Sequence, residues 1–301
     1  MYSVDLSAAF DLFRQDIFLE MYSEKLSHGL ARTLHDFLTD RKVQCEVKGK
    51  TSSIKDMPIG CVQGSILGPR LFTLYMGRLG EALGDAEVVG YADDTYVIVS
   101  GDSLEDILTK TGRISSSHVQ YLESLGMVVN KSKTEIVIFN KAPYQAIIVD
   151  FAGSSVTAST GMKALGVTLT HNLSWDTQIA SAISKSQGKL SLLRKIQPVI
   201  TMEQFLRIAS SQIFSTLYYA STVWLNSTTT SRQTKRIESF HYWVLRVACR
   251  DFKARRQRSV IDSQCKRAPQ KCGQNIPQRQ WPLRSSGTVP QLVYMVSLNR
   301  T

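Results

Sequence analysis

The feature that most constrains this chain is a pair of adjacent aspartates between two segments suited to buried strands. Asp93 and Asp94 stand between residues 87–91 and residues 95–100, which are rich in Val, Ile and Tyr. This pattern predicts an antiparallel hairpin with both carboxylates at its tip. Adjacent like charges repel each other, and a purely structural turn is better served by Asn-Gly or Asp-Gly. The pair is therefore either an exposed acidic turn or a cation site held by rigid strands.

The residues around this hairpin predict strands and helices intermixed along the first half of the chain. Further strands are predicted at residues 4–6, 42–48, 54–59 and 135–139, and helices within residues 17–38, 71–83 and 104–125. Residues 60–69 carry three glycines and end on a proline, which predicts a shaped loop. Intermixed helices and antiparallel strands are typical of an α+β fold.

The second half of the chain changes from strands to helices. Strands are predicted at residues 146–151 and 164–169, and helical spacing of apolar residues begins after Trp175. From about Pro269 this periodicity stops and Pro, Gln, Arg and Ser accumulate, so residues 269–301 are expected to form a loose tail.

The two halves differ strongly in charge. Residues 1–150 contain 15 Lys and Arg against 20 Asp and Glu, whereas residues 151–301 contain 21 Lys and Arg against 5 Asp and Glu. An acidic half joined to a basic half favours a carboxylate site beside a surface that holds a polyanion, although a solvated basic face is the alternative. The hydrophobic fraction of 43% excludes wholesale disorder.

Targeting and membrane signals are not expected in this sequence. Asp5 and Asp11 interrupt the region where a secretory signal needs an apolar run. The longest uncharged stretch, residues 208–231, is more than half Ser, Thr, Gln and Asn, so it does not predict a membrane span. The five cysteines contain no Cys-x-x-Cys pair, which favours free intracellular thiols over a zinc site.

Clustered carboxylates on rigid strands suit one kind of chemistry in particular. Asp5, at the end of the first predicted strand, is a third candidate beside Asp93 and Asp94. Carboxylate oxygens are preferred ligands of hard cations such as Mg²⁺. Two such ions about 4 Å apart can bind the nucleophilic and the leaving oxygen of an in-line phosphoryl transfer.

Five segments in a consistent order resemble one family. Tyr91-Ala92-Asp93-Asp94 resembles the YADD box, motif C, of reverse transcriptases. The other four resemble motifs A, B and D and the primer-grip region of the enzymes of non-LTR (LINE-type) retrotransposons: residues 5–11, 63–69, 126–134, and 163–169 followed by 173–175. Such agreement in order makes the resemblance specific although each motif alone is modest.

The resemblance implies an organisation in four segments. Residues 1–142 would be a polymerase palm, an antiparallel sheet with helices packed on one face. Residues 143–175 would be the primer-grip or connection region, and residues 176–268 a basic α-helical thumb. Relatives carry a fingers region before motif A, so the resemblance leads us to expect a chain truncated before motif A and without fingers, with residues 269–301 as a degenerate tail.

The resemblance also implies the ligands of two Mg²⁺ ions, with Mn²⁺ as a substitute. Asp5, Asp93 and Asp94 would bind the metal through their carboxylates, and Leu6 through its backbone carbonyl. Lys133 would be a cation near the departing pyrophosphate and a general acid. The alternative for Lys133 is a solvated lysine beside Lys131.

Nucleotide and primer contacts follow from the same resemblance. Phe10 would be a steric gate under the sugar of the incoming dNTP, or else an ordinary core residue. Gln63 and Gly64 would line the nucleotide pocket, and the alternative for the glycine is a plain turn. Leu165 and Gly166 would form the primer grip, or simply part of a core strand.

Basic residues of the predicted thumb would contact the nucleic acid. The candidates share exposed positions on predicted helices or in the densest cationic run: Arg232, Lys235, Arg236, Arg250, Lys253, Arg255 and Arg256. A nuclear-localisation-like patch and a solvated helix end are the alternatives for the run that begins at Arg250.

The implied reaction is RNA-directed DNA synthesis, in which a primer 3′-hydroxyl attacks the α-phosphorus of a dNTP. The expected partners are an RNA template and a DNA primer, with no protein partner and no membrane, in an intracellular and nuclear location. Three alternatives stay open. They are a catalytically inactive nucleic-acid-binding remnant, an intron-maturase-like splicing factor, and an RNA-dependent RNA polymerase, which Phe10 disfavours because an rNTP user needs a polar group there.

Overall fold

The computed structural model describes residues 1–140, 143–226 and 228–250, which divide into two compact units. The first unit contains residues 1–165, and the second begins at Gly166. Residues 143–165 therefore pack with the first unit. The predicted functional boundaries at residues 142, 175 and 268 stay predictions.

The first unit mixes helices and strands as expected for an α+β chain. Its strands are β1 Tyr2–Val4, β2 Leu6–Ser7, β3 Lys42–Val43, β4 Glu46–Val47, β5 Lys50–Thr51, β6 Lys55–Asp56, β7 Glu87–Tyr91, β8 Asp94–Ile98, β9 Val128–Val129, β10 Glu135–Ile136, β11 Ile148–Phe151, β12 Ser154–Thr157 and β13 Gly161–Ala164. Its helices are α1 Gln15–Tyr22, α2 His28–Leu38, α3 Gly68–Tyr75, α4 Leu79–Leu83 and α5 Leu104–Ser124.

A four-stranded sheet organises this unit, with the strand order β10-β1-β8-β7. Every adjacent pair in it is antiparallel, and β7 and β8 form the predicted hairpin, closed by the pair Tyr91–Asp94. A second short antiparallel pair joins β2, which follows β1 after one residue, to β9. These pairings bring the segments that resemble motifs A, C and D side by side.

The two faces of the sheet have different roles. Tyr2 and Val4 of β1 and Val97 of β8 point to one face, where they belong to the buried core with side chains of α4 and α5. Because side chains alternate along a strand, Ser3 and its cross-strand partner Tyr96 point to the other face. The sheet therefore packs its helices on one face and presents a separate, more polar face.

Helix α5 supplies much of the core and illustrates why these segments are helical. Ser103 accepts a hydrogen bond from the Asp106 backbone N–H, which caps the first turn. Ile114, Val119 and Leu122 recur at helical spacing and are buried. Burying each such side chain stabilises the fold by roughly 1.5–3 kcal/mol before entropy is counted.

One hairpin of the first unit lies outside its core. β3 pairs with β6 and β4 with β5, and Lys48 and Gly49 connect them with positive φ angles of 52° and 74°. Positive φ at both central residues matches a tight hairpin turn. The strands predicted at residues 42–48 and 54–59 do pair as a hairpin, but the returning strand begins earlier, at Lys50, because the turn takes only two residues.

The second unit is helical after its first strand. Its elements are β14 Val167–Thr170, α6 Asp176–Ile196, α7 Met202–Ile208, α8 Ser215–Leu217, α9 Ser221–Trp224 and α10 Ser231–Ala248, with a π-helical segment Ala209–Phe214 between α7 and α8. Capping boxes start α7 at Thr201 and α10 at Thr230. A separate core forms around Trp224, Ile179 and Phe205, as the apolar periodicity predicts.

Two predicted elements are divided in the structure. The helix predicted over residues 71–83 is two helices, α3 and α4, separated by Met76–Arg78. The strand predicted over residues 164–169 is also interrupted, because Leu165 and Gly166 have positive φ angles of 46° and 85°. Positive φ is incompatible with an extended strand, so β13 ends before these residues and β14 starts after them.

None of the helices in the described part of the chain is both long enough and apolar enough to cross a membrane.

Candidate active site

The three predicted metal-binding aspartates lie where neighbouring strands end. Asp5 directly follows β1 and precedes β2, and its backbone carbonyl accepts a hydrogen bond from Asn130 N at 2.9 Å. Asp94 is the first residue of β8, and Asp93 lies in the two-residue loop before it. Backbone pairing at the strand ends thus positions Asp5 and Asp94, and the tight turn of the hairpin positions Asp93.

The hairpin tip holds its aspartates with a constrained backbone. Ala92, the residue before Asp93, has φ of 54°, a conformation that L-residues other than Asn and Asp rarely adopt. The β7–β8 pairing on both sides maintains this conformation. Backbone strain that surrounding structure maintains is often found at functional sites.

Asp5 and Asp94 belong to the polar face of the sheet. Asp94 is two residues before Tyr96 on β8, and Asp5 is two residues after Ser3 on β1, so both continue the row of side chains opposite the core. Partial burial raises the pKa of Asp94 above its ordinary value, and repulsion from Asp93 and Asp5 adds to this rise. The three negative charges therefore act on one another.

The donor set matches a hard cation in its chemistry. Leu6 lies opposite Val129, and the bond from Asn130 to Asp5 makes this a pair without mutual hydrogen bonds, since the two pair types alternate. The Leu6 carbonyl therefore points away from β9. Carboxylates with a carbonyl form the oxygen-only set that Mg²⁺ prefers.

The side chains as positioned do not yet surround an ion. In residues 1–140, 143–226 and 228–250, no three Asp, Glu, His or Cys side chains converge closely enough to hold a metal. Asp93 and Asp94 are exposed, so core packing does not fix the rotamers of their side chains. The fit of this site to two Mg²⁺ ions thus rests on donor chemistry and strand placement.

Tyr96 is a site residue that the sequence analysis did not single out. Its hydroxyl accepts a hydrogen bond from Leu165 N at 3.2 Å. The same hydroxyl interacts with the Asp94 carboxylate and lowers the Asp94 pKa, in opposition to burial. The Tyr96 side chain is 5% exposed. The sequence does contain a signal for this residue: side chains two positions apart on a strand lie on the same face, so Tyr96 is expected on the face of Asp94.

Lys133, the predicted cation near the departing pyrophosphate, lies beside one of the three carboxylates, that of Asp5. Its ammonium nitrogen is 3.3 Å from an Asp5 carboxylate oxygen. Lys133 sits in a short 3₁₀ turn between β9 and β10, and its backbone N–H donates to Asn130 O. Lys131, in the same turn, instead donates to the Ala152 carbonyl at 3.3 Å.

Phe10 and the glycine loop are joined by backbone contacts. The Phe10 carbonyl accepts a hydrogen bond from Cys61 N at 2.7 Å, and its ring stacks on Phe72 of α3 with centroids 4.7 Å apart. Phe10 is half-buried at the edge of the core. This position is compatible with both the gate and the packing interpretation.

Gln63 and Gly64 are exposed in the loop between Gly60 and α3. The Gln63 amide donates to the Asp11 carboxylate at 2.7 Å, which connects the segments that resemble motifs A and B. Gly64 has φ of 78° and open space around its missing side chain, so its backbone conformation, rather than a nearby atom, requires glycine. A Cβ at Gly68 would instead lie 2.8 Å from the Val62 carbonyl.

The predicted primer-grip residues form a turn between β13 and β14. The first, Leu165, is exposed and is held at its backbone N–H by Tyr96. The second, Gly166, opens the second unit, where a side chain at its position would meet the Tyr219 ring at 3.0 Å. The interpretation as a core strand is therefore wrong for these two positions.

The second unit presents a basic surface, as its composition predicts. Residues 176–250 contain ten Lys and Arg against three Asp and Glu. Arg232 and Lys235 are exposed on α10, whereas Arg236 pairs with Asp176 at 3.3 Å. Arg250 is exposed after α10 and donates to the Gln197 carbonyl. Lys253, Arg255 and Arg256 lie outside the described residues.

Comparison with known proteins identifies the family. Residues 1–169, more than half of the chain, match the reverse transcriptase (RNA-dependent DNA polymerase) family. The chain belongs to this family, and its domain is of the non-LTR retrotransposon type that the five motifs predicted.

Related proteins come from insect mobile elements. The chain is similar to a 115 kDa protein in the type-1 retrotransposable element R1DM of Drosophila melanogaster, with 28% identity over 48% of this chain and 15% of the relative. It is similar to the RNA-directed DNA polymerase from mobile element jockey of Drosophila funebris, with 23% identity over 73% and 25%. A Pol polyprotein of element R1 from Nasonia vitripennis shares 22% identity over 55% and 52%. The chain thus spans at most about half the length of these relatives.

Proposed function

We propose that this chain carries the catalytic centre of an RNA-directed DNA polymerase, a nucleotidyltransferase that extends a DNA primer along an RNA template. The supporting observation is the arrangement of Asp5 and Asp94 on one face of the central sheet, with Asp93 at the strained tip of the adjoining hairpin. The first unit would be the palm, and the helices from Asp176 onward the thumb.

In this proposal Asp5, Asp93 and Asp94 hold divalent cations with help from the Leu6 carbonyl. Two Mg²⁺ ions bound there would lower the pKa of the attacking 3′-hydroxyl and stabilise the negative charge that develops on the departing pyrophosphate oxygen. The protein's own contribution is positional, because the strands fix the carboxylates while the primer end and the dNTP α-phosphate are brought in line.

Lys133 would donate a proton or a hydrogen bond to the departing pyrophosphate. Its ammonium group already lies beside Asp5 and is largely exposed, so it can turn towards a phosphate without leaving a buried charge. Phe10 would contact the sugar of the dNTP, with Phe72 behind its ring limiting how far it can move. Gln63 and Gly64 would line the same pocket.

Nucleic acid would be bound by the basic helices of the second unit. Exposed cations on α10, with Arg250, supply contacts to phosphates whose strength depends on salt. Leu165 and Gly166 would place the primer end, since Tyr96 connects Leu165 to the carboxylate of Asp94. A nuclear location would follow from such a function.

Primer extension by the purified chain tests the proposal. The assay uses an RNA template annealed to a DNA primer, dNTPs and Mg²⁺, with Asp93→Asn as the inactive variant and Asp85→Asn as the control for an exposed aspartate elsewhere. Extension that Asp93→Asn abolishes and Asp85→Asn retains supports the polymerase. Tight, salt-dependent binding of the primer–template without any extension would instead favour the nucleic-acid-binding remnant.

A further inference from the structure

The hairpin of residues 42–56, which we name the lysine arm, projects from the first unit. Every residue from Lys42 to Asp56 is exposed, and none belongs to the buried core. A two-stranded hairpin alone has marginal stability in water. An exposed hairpin that buries nothing of its own is therefore suited to binding a partner.

The root of the lysine arm is held firmly. Arg41 donates from its guanidinium to the carbonyls of Leu38 and Ile59 at 3.1 Å each, and to that of Gly60. Gly60 N in turn donates to Phe13 O at 2.7 Å. These bonds join both ends of the arm to each other and to the loop that carries Gln63, so the arm emerges next to the candidate nucleotide pocket.

The arm has two chemically different faces. Lys42 is paired with Asp56, and Glu46 with Thr51, so both acidic residues of the arm lie on one face. The register shifts by one residue between the two halves of the arm, which marks a bulge in the returning strand near Ser53 and Ile54.

The opposite face is basic and apolar without any acid. Val43 is paired with Lys55, and Val47 with Lys50, while Lys48 occupies the turn. Val47 is 67% exposed, which is unusual for a valine on a strand. The arm contains four lysines and two acidic residues, whereas the first unit as a whole contains 16 Lys and Arg against 20 Asp and Glu.

We infer that the face of Val43, Val47, Lys50 and Lys55, with Lys48 at its tip, binds the phosphate backbone of a single RNA strand entering the candidate active site. Lysine ammonium groups neutralise phosphates, and their aliphatic stems and the valines cover the apolar edges of sugars and bases. The acid-free face beside an otherwise acidic unit supplies the charge complementarity. The inference rests on the proposed polymerase function, because it assigns the strand to the template.

The test measures binding of a single-stranded RNA oligonucleotide to the full chain, without dNTP or Mg²⁺, across a series of salt concentrations. Lys50→Gln/Lys55→Gln removes two cations of the binding face. Lys42→Gln is the control within the arm, and Lys25→Gln/Arg32→Gln matches the charge change elsewhere on the exposed surface of the same unit.

Losing two phosphate contacts should make the negative slope of log affinity against log salt concentration shallower by about 1.4. If the affinities converge at 1 M salt, this change corresponds to roughly 25-fold weaker binding at 0.1 M salt. The two controls should each change affinity less than about threefold. Equal slopes for the double variant and the unaltered chain would overturn the inference, as would an equal loss in the Lys25→Gln/Arg32→Gln control.

Primer extension by the same proteins separates this inference from the proposed function. If the unaltered chain extends a primer and the lysine-arm variant binds RNA with unchanged affinity, the polymerase proposal stands and RNA binding by the arm is contradicted. A chain that never extends a primer, whatever its arm binds, fails as a polymerase.

Discussion

The ammonium nitrogen of Lys133 lies 3.3 Å from a carboxylate oxygen of Asp5, although 128 positions separate these residues in the chain. The Lys133 side chain is 67% exposed and that of Asp5 is 46% exposed. An ion pair with this much contact to water contributes at most about 1 kcal/mol to stability. A substitution of Lys133 should therefore change the rate of catalysis without a large change in the free energy of unfolding.

Lys133→Met should slow primer extension by at least about 10²-fold, the usual scale for removing a general acid. The free energy of unfolding should change by less than about 1 kcal/mol, because the pair is exposed. Single-turnover extension and urea denaturation measure the two quantities. Lys131→Met is the control, and a similar slowing in both variants would mean that only the charge of the turn matters.

Asp93→Asn should lower the rate of primer extension by at least about 10²-fold, because it removes a negative charge from the proposed cation site. Stability should stay level or rise, since repulsion from Asp94 is relieved. Thermal unfolding and primer extension check both parts. Retained activity would contradict the role of Asp93 as a ligand.

Phe10→Val should increase incorporation of rNTPs relative to dNTPs if the ring excludes the 2′-hydroxyl. It should also cost about 1–2 kcal/mol of stability, because the stacking on Phe72 is lost. Competition between the two nucleotide types gives the ratio. Phe72→Leu removes the same stacking from the buried side, so an equal ratio change in both variants would assign Phe10 to the core.

Tyr96→Phe should lower kcat roughly 10-fold, because the hydroxyl that connects Leu165 N to the Asp94 carboxylate is lost and small misplacements of reacting groups are costly. The cost in stability should be about 1 kcal/mol. Tyr22→Phe is the control, because it removes another tyrosine hydroxyl bond of the first unit, to the Leu74 carbonyl. Equal losses of kcat in the two variants would make Tyr96 a purely structural residue.

His118 predicts a pH dependence of the first unit. The ring is fully buried on α5 beside the Tyr2 hydroxyl at 3.2 Å, and burial lowers its pKa to about 4. Between pH 6.5 and 4 the unfolded chain binds a proton that the folded chain refuses, so stability falls as the pH falls. The expected loss from pH 7 to pH 5 is about 2 kcal/mol.

Hydrogen exchange of α5 measures this loss locally, which is useful because residues 1–165 contain no tryptophan. His118→Gln should remove most of the difference between the two pH values. If the variant and the unaltered chain lose equal stability between pH 7 and pH 5, other groups carry the dependence.

Elements with strong local periodicity could be predicted from the sequence. The hairpin of residues 87–98 and helix α5 lie within two residues of their predicted bounds, because alternation and helical spacing are properties of neighbouring residues. The same patterns placed the three aspartates at the ends of predicted strands, and the family resemblance assigned them to motifs A and C.

Features that depend on distant residues could not be predicted in this way. The bond between Tyr96 and Leu165 joins positions 69 residues apart, and the pair of Tyr2 and His118 spans 116 residues. The turn at Leu165 was missed because its neighbours Ala164 and Val167 have ordinary strand composition. Periodicity describes which face of an element is apolar, and it contains no information on which other element meets that face.

The backbone of Ala92 limits how this chain can diverge. At φ of 54° a β-branched side chain would be strained, while glycine would relax the turn at the cost of a more mobile tip. Natural variation at this position should therefore favour small, unbranched residues. Selection on the proposed metal-binding aspartates would extend in this way to a neighbour through the shape of the peptide chain.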